Sequence, residues 1–383
     1  MEKRLGTWIG GYVSYGGKEI LINSCLSSIP LYAMGFYKLP EGVHKKMDLV
    51  RGRFYWQGIQ KKKKKYHMLS LGAMSRPKDY GGLGFLETRK MNVSLLAKWI
   101  FKLEKEPHDL CTELLHKKYL KGESFFREQK GNMSHFWKGL HIAKKFCQLY
   151  TKRVVNNGRR TSFWDDVWLL QVPLRVYFED LYKINEQQGG TVREIWQEGE
   201  WCLTFRRNLE VVSWDNWVEL KSLLEGVEIK EGWDELKWAL DEKKGYSSKS
   251  LYRALAFGGV IDTRAQGLWK AKIPLKIKHF LFMAMKGKIP CAAQLKKKKW
   301  KGEINCKMCD LEEDTEHILF RCALARFLWC AIREIAGWEM SPISFSDFFL
   351  FSKEGKEKKG GFLVGCFSYL LLGNLVSQEK ICV

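Results

Sequence analysis

Cys306, Cys309, His317 and Cys322 stand in the pattern C-x2-C-x7-H-x4-C, inside the stretch "CKMCDLEEDTEHILFRC". Thiolate sulfur and imidazole nitrogen are the donors that a tetrahedral zinc ion takes from a protein. A Cys-x2-Cys pair can bite one ion from a tight turn, here "CKMC", while a His and a last Cys return from a second element to close the shell. "DLEEDTE" supplies a polar, acidic loop that can cross between the two halves. Four protein ligands leave no open position for substrate or water, so such a zinc is structural. The competing reading is plainer: three buried cysteines acting as small apolar residues, and a histidine at a helix start. Cys330 is a substitute ligand in principle, but its place deep in the following helix favours core packing.

The elements around the cluster must present these ligands. "HILFRCALARFLW" continues as an amphipathic helix through Leu324, Leu328, Ala331 and Ile335. Residues five apart on a regular α-helix point about 140° apart. His317 and Cys322 therefore cannot both be mid-helix ligands: either the helix begins near Cys322, or its first turn is distorted.

Upstream, "KEILINSCLSSIP" reads as a helix stopped by Pro30, and "LPEGV" breaks the chain before the next one. Val43, Met47, Val50 and Phe54 then trace one helical face, with His44, Lys45, Lys46, Arg51 and Arg53 opposite. Leu95, Leu96, Trp99, Ile100 and Leu103 mark a further helix, preceded by a turn at the Gly81-Gly82 pair. In the middle, Asn156-Asn157-Gly158 between β-prone residues is a hairpin signal, and small strands and short helices are expected around Trp196 to Trp238. Helices return from "GYSSKSLYRALAF" onward. The fold class expected is mainly α with a small α+β middle region.

A chain of 383 residues suggests two or three domains. Its 45% hydrophobic and 28% charged residues, with 16 Trp, 14 Tyr and 22 Phe, argue against wholesale disorder. The net charge of +22 is the outlying value and calls for a polyanionic partner, nucleic acid first and an anionic membrane surface second. Eleven scattered cysteines and an N-terminus, "MEKRLGTWIGG", without a long apolar core point to a reducing compartment rather than a disulfide framework. "GGFLVGCFSYLLLGNLV", 360–376, is apolar but falls short of the roughly 20 residues that cross a bilayer. No membrane span is expected. Asp165-Asp166 in "FWDDVW" has no strand offering a partner carboxylate and reads as a turn pair between Trp164 and Trp168. "GGLGF" at Gly81 lacks the Lys and context of a phosphate loop, and no G-x-S-x-G, H-E-x-x-H or Walker motif is present.

Four stretches resemble the C-terminal part of reverse transcriptases encoded by plant non-LTR (LINE-type) retrotransposons. "GGYVSYGGKEILINSCLSSIPLYAMGFYKLPEGVHKKMDLVRGRFYWQG" is similar to the segment after the family's polymerase palm, and "RPKDYGGLGFLETRKMNVSLLAKWIFKL" to its next block. "VVNNGRRTSFWDDVWLL" is similar to the Gly-x-x-x-Ser-Phe-Trp-x-Asp-x-Trp connector. "YSSKSLYRAL", "LWKAKIPLKIKHFLFMAMKGKIPCAAQL" and "CKMCDLEEDTEHILFRCALARFLW" together resemble the reverse-transcriptase zinc-binding domain. The chain departs from the family at Met283 and Met285, where Trp-Arg is usual, and in its lysine runs.

The resemblance implies a helical thumb-like region at 1–150, a connector at 151–244, a helical CCHC zinc-binding domain at 245–340 and a poorly matched tail at 341–383. It implies one structural Zn2+ on Cys306, Cys309, His317 and Cys322. The palm carboxylates of the family lie upstream of the matched part, so no catalytic residue and no unaided polymerase activity are expected. The expected role is that of a truncated, LINE-derived protein that binds RNA or DNA. Its candidate phosphate contacts are Lys45, Lys46, Arg51, Arg53, Lys61, Lys62, Lys63, Lys64, Lys65, Lys276, Lys278, Lys296, Lys297, Lys298 and Lys299. The alternatives are a zinc-stabilised module that binds a protein partner, or a retrotransposon relic without a role. Charge and ancestry suggest an intracellular address, in the nucleus.

Overall fold

Two units make up the chain, and each draws on separated stretches of sequence. The computed structural model describes residues 13–57, 67–105, 109–121, 123–127, 133–208, 211–241, 243, 245–257 and 259–354. Lys61 to Lys65 and the apolar stretch 360–376 lie outside the described residues. The first unit takes its described residues from the ranges Met1–Ile29, Gly42–Glu87 and Phe257–Val383, and the second from Pro30–Glu41 and Thr88–Ala256. Among the described residues the architecture is mainly helical, with two small antiparallel sheets in the middle of the sequence. No helix of the described residues is long and apolar enough to cross a membrane.

The helix Glu41–Gln57, which belongs to the first unit from Gly42 onward, starts with an acidic residue, which suits the positive end of the helix dipole. Its inward face carries His44, Met47, Arg51, Phe54, Tyr55 and Trp56. The apolar pattern Val43, Met47, Val50, Phe54 shares only Met47 and Phe54 with that face: Val43 is exposed and Val50 half-buried. The face turns toward His44 and Arg51 because the interior supplies partners for the guanidinium. Arg51 is fully buried, pairs with Asp48 at 2.6 Å, and donates to the Leu86 carbonyl at 2.6 Å and to Ser27 Oγ at 3.3 Å.

A second buried polar group knits the same core. His279, on the helix Leu275–Met285, has Nε2 2.6 Å from Glu19 Oε2 and Nδ1 3.1 Å from the Tyr55 hydroxyl. Lys78 closes the set, 2.8 Å from the other Glu19 oxygen and 4.5 Å from the Trp269 ring centroid. Around it pack Ile22, Leu26, Phe85, Leu281, Phe320 and Trp329. Met283 and Met285 lie partly buried against that core, where a flexible thioether fills space readily.

The helix Thr88–Leu103 is central to the second unit, packed by the helices Leu31–Phe36, His135–Gln148 and Ser248–Leu255. Its Asn92 is wholly buried and ties the end of Leu31–Phe36: Nδ2 donates to Met34 O (2.7 Å) and Tyr37 O (2.8 Å), and Oδ1 accepts from Leu39 N (2.9 Å). Thr151–Val154 does not form the hairpin that Asn-Asn-Gly suggests. It pairs antiparallel with Glu235–Trp238, far along the chain. Asp234, next to that strand, takes the backbone N–H groups of Asn156, Gly158 and Arg160 at 2.8, 2.9 and 3.0 Å and so shapes the loop. Gly158 sits at φ 70°, and a Cβ there would lie 2.9 Å from Arg193 N, so the position needs glycine. Trp196–Gln197 and Glu200–Trp201 make the other small sheet, and Val211–Glu225 is a longer helix than the short ones expected.

Glu104 is the buried charge that holds this unit's strand to its helices. Its carboxylate accepts from Ser124 Oγ (3.0 Å) and Phe125 N (2.7 Å) and lies 2.8 Å from Arg153 Nη1. Burial pushes the Glu104 carboxyl up, but Arg153 and Arg160 outweigh it and hold the group below its usual range. Its contribution to stability is therefore complete above the ordinary carboxylate range and is lost as pH falls through and below it. Glu104→Ala takes from two buried guanidinium groups their shared carboxylate, leaving Arg153 only the more distant Asp166 at 3.6 Å. Urea unfolding at neutral pH should show a loss of about 3–5 kcal/mol.

Candidate metal centre

Residues 304–313 fold as a small knuckle. Cys306 N–H donates to Leu311 O at 2.8 Å, Asp310 N–H returns to Cys306 O at 2.9 Å, and Asn305 bridges to Glu312. Asp310 takes the left-handed conformation at φ 60°, which short polar side chains tolerate better than most. That turn brings the sulfurs of Cys306 and Cys309 together.

The other two candidates come from a wide turn. His317–Arg321 is a single π-helical turn, closed by Cys322 N–H donating to His317 O at 2.7 Å across five residues. Cys322 itself is extended (φ −60°, ψ 146°) and precedes the helix Ala323–Ala336. Both resolutions of the five-residue spacing thus occur at once: the first turn is widened, and the regular helix begins after Cys322. Between the two ligand positions, Leu319 and Phe320 point into the hydrophobic core, where Phe320 stacks on Trp329 at 5.7 Å. Asp314 caps the turn by accepting His317 N–H at 2.6 Å, and Arg321 holds Asp314 at 2.8 Å.

The four donor atoms all lie within 4.8 Å of one another. Cys306 Sγ is 3.9 Å from Cys322 Sγ, and Cys309 Sγ is 3.2 Å from His317 Nε2. Zinc–sulfur bonds of about 2.3 Å in a tetrahedron separate two sulfurs by about 3.8 Å, so the cysteine pair already has the spacing the ion needs. Cys306, His317 and Cys322 are buried and Cys309 is half-buried. The cluster can hold a metal ion. Burial pushes the Cys306 thiol up to about 11. Cys309 is pushed up by burial too, but N–H donation from Leu311 and the neighbouring thiols leave it below its ordinary value.

The helix after the cluster buries Ala325, Trp329 and Ile332, with Leu324 and Leu328 half-buried and Ala331 and Ile335 exposed. The stripe is rotated from Leu324, Leu328, Ala331 and Ile335 because Cys322 and the Trp329 bond to Leu319 O (2.8 Å) fix its phase. Cys330 is exposed, and neither packs in the core nor joins the cluster. Asp314, Leu319 and Phe320 were not singled out in the sequence. The first could have been, since an Asp three residues before a ligand at a helical start is an N-cap pattern.

The basic candidates divide by burial. Lys45, Lys46, Arg53, Lys276 and Lys296 to Lys299 are exposed. Lys278 is half-buried and donates to Trp269 O at 2.7 Å. Arg51 is withdrawn as a phosphate contact, because its guanidinium is sealed in the core. A cavity of about 540 Å³ beside the cluster is lined by Lys296 and Lys297 but also by Glu312, Asp314 and Glu316, which is no simple anion cradle. Asp165 pairs with Arg175 at 2.6 Å, and Asp166 accepts Ser162 N–H at 2.8 Å, as a turn pair does. Trp164 and Trp168 beside them are buried.

Two outcomes are expected for the cluster. Thiols must lose their protons to bind a metal, so zinc affinity should fall as pH falls, with proton release on binding measurable by calorimetry in buffers of different ionisation enthalpy. Asp314→Ala removes a cap worth about 1 kcal/mol and should weaken zinc about fivefold in competition with a chromophoric chelator.

Residues 246–329 match the family model described as zinc-binding in reverse transcriptase. Over 342 residues the chain is 24% identical to an Arabidopsis thaliana protein that carries the provisional name ribonuclease H protein, covering 87% of this chain and 54% of that relative. The chain thus spans about half the length of that relative. An uncharacterised mitochondrial protein of Arabidopsis thaliana is 28% identical over 149 residues, which is 38% of this chain and 97% of the relative. The stretch 246–329 is accordingly a zinc-binding domain of the reverse-transcriptase type, in a chain that resembles the C-terminal region of a retrotransposon reverse transcriptase.

Proposed function

We propose that this chain is a LINE-derived, reverse-transcriptase-like protein that binds nucleic acid without polymerising it, around one structural zinc. The observation that carries the reading is the juxtaposition, within one zinc-binding segment, of the Cys306–Cys309–His317–Cys322 cluster and the exposed run Lys296 to Lys299. When bound, the zinc would cross-link the knuckle to the turn before Ala323–Ala336. The lysines would contact phosphate, and so would Lys45, Lys46, Arg53 and Lys276 in the same unit.

Catalysis is no part of this proposal. Asp165 and Asp166 are engaged by Arg175 and by Ser162, and no step is assigned to them. The name of the longer relative includes ribonuclease H, and that activity is not carried over to this chain. An intracellular, nuclear address belongs to the same proposal. It rests on the charge of +22 and on cysteines that are free of disulfides among the described residues.

The test is affinity against salt. Fluorescence anisotropy with labelled oligonucleotides should show a steep, linear fall of log affinity with log salt. Replacing Lys296 to Lys299 by Ala should lower that slope by up to about four and weaken all sequences alike. Binding that is absent, or indifferent to salt, would reject the reading and leave the zinc-stabilised protein-interaction module in its place.

A further inference from the structure

Four rings run in contact across one face of the second unit. Tyr32 lies 5.4 Å from Phe36, Phe36 lies 5.7 Å from Trp99, and Trp99 lies 5.5 Å from Phe136, centroid to centroid. Apolar rings of this size normally go inside, yet Tyr32 is 81% exposed and Phe36 37%. Trp99 and Phe136 are half-buried and anchor the row. The surface is also held firmly. Trp99 Nε1–H donates to Gly35 O at 2.9 Å, and the buried Asn92 ties the backbone at Met34, Tyr37 and Leu39.

Cations are interleaved with the rings. Lys102 Nζ sits 5.1 Å from the Trp99 centroid, one helical turn further along the same face, and Lys98 is exposed beside it. Asp109 is the carboxylate that faces Lys102, at 3.7 Å. Tyr37, itself exposed, lies 5.9 Å from the His135 ring, and the exposed Lys138 follows His135 by one turn. Tyr32 offers an open ring face and Phe36 a partly open one, with lysines beside them, and aromatic faces with positive charge nearby are what hold unpaired bases of a single strand without regard to sequence. A face meant for an apolar protein partner has no need of the lysines.

We propose that this aromatic and basic surface is a stacking platform for unpaired bases of single-stranded nucleic acid. The platform deepens the nucleic-acid reading above and rests on it, but it uses none of the lysines named there. Tyr32 would take a base on its open ring face, Phe36, tilted 58° to it, would border the next base, Trp99 would buttress Phe36, and Lys98 and Lys102 would meet the phosphates.

The experiment compares the full chain with Tyr32→Ala and Tyr32→Phe, using a labelled oligouridine, a labelled oligothymidine and a blunt duplex. Tyr32→Ala should weaken single-strand binding by about tenfold, leave duplex binding and its salt slope unchanged, and be rescued by Tyr32→Phe. Cross-linking of an iodouridine oligonucleotide should map to Tyr32, Phe36 or Trp99. Duplex and single-strand binding that are both unchanged in Tyr32→Ala would overturn the platform alone and leave the phosphate-contact reading standing. A change only in self-association on sedimentation would overturn it in favour of a protein contact. No binding of any nucleic acid by the unaltered chain would overturn the underlying reading, and the platform with it.

Discussion

One wide turn has to satisfy two demands at once. His317 and Cys322, five residues apart, must reach the same small volume as Cys306 and Cys309, while Leu319 and Phe320 between them must reach the core. A regular α-helix would splay the two ligands apart. The π-turn His317–Arg321 meets both demands, because its five-residue hydrogen bond brings Cys322 back toward His317 and leaves the two apolar side chains facing inward. The ligand cluster and the hydrophobic core of the first unit are therefore one mechanical object. Through Phe320 and Trp329, the cluster sets the phase of the helix Ala323–Ala336.

Charge is handled in two opposite ways in this protein. Two arginines are taken inside where a carboxylate meets part of the donor fork: Arg51 by Asp48, with the Leu86 carbonyl, and Arg153 by Glu104. Lys45, Lys46 and Lys296 to Lys299 are left outside, where an ammonium on a flexible stem stays hydrated. Each of these arginines is matched by a carboxylate, so neither pair adds to the net charge of +22. The buried Glu19–His279–Tyr55 set follows the same rule, with each polar atom answered by another.

Much of the fold and the ligand cluster could be read in the sequence because their signals are local. Helical class, the breaks at Pro30 and at Gly81-Gly82, and the gathering of Cys306, Cys309, His317 and Cys322 follow from periodicity and spacing. The sequence was misleading where a distant partner decides. Asn-Asn-Gly suggested a hairpin, but Asp234 captures that loop and the strand pairs with Glu235–Trp238. Arg51 looked like a surface cation until Asp48 and Leu86 were seen to enclose it. The helix stripe through Leu324 and Ile335 was displaced by the phase that Cys322 imposes. The aromatic row from Tyr32 to Phe136 joins three separate helices, so no sequence window contains it.

The most direct measurement is the zinc content of the purified full chain by elemental mass spectrometry, followed by hydrogen–deuterium exchange before and after chelation. One zinc per chain should be found. Its removal should deprotect 317–336 while Thr88–Leu103 in the other unit keeps its protection. Absence of zinc, or protection of 317–336 that survives chelation, would contradict the claim that a metal couples the knuckle to the core.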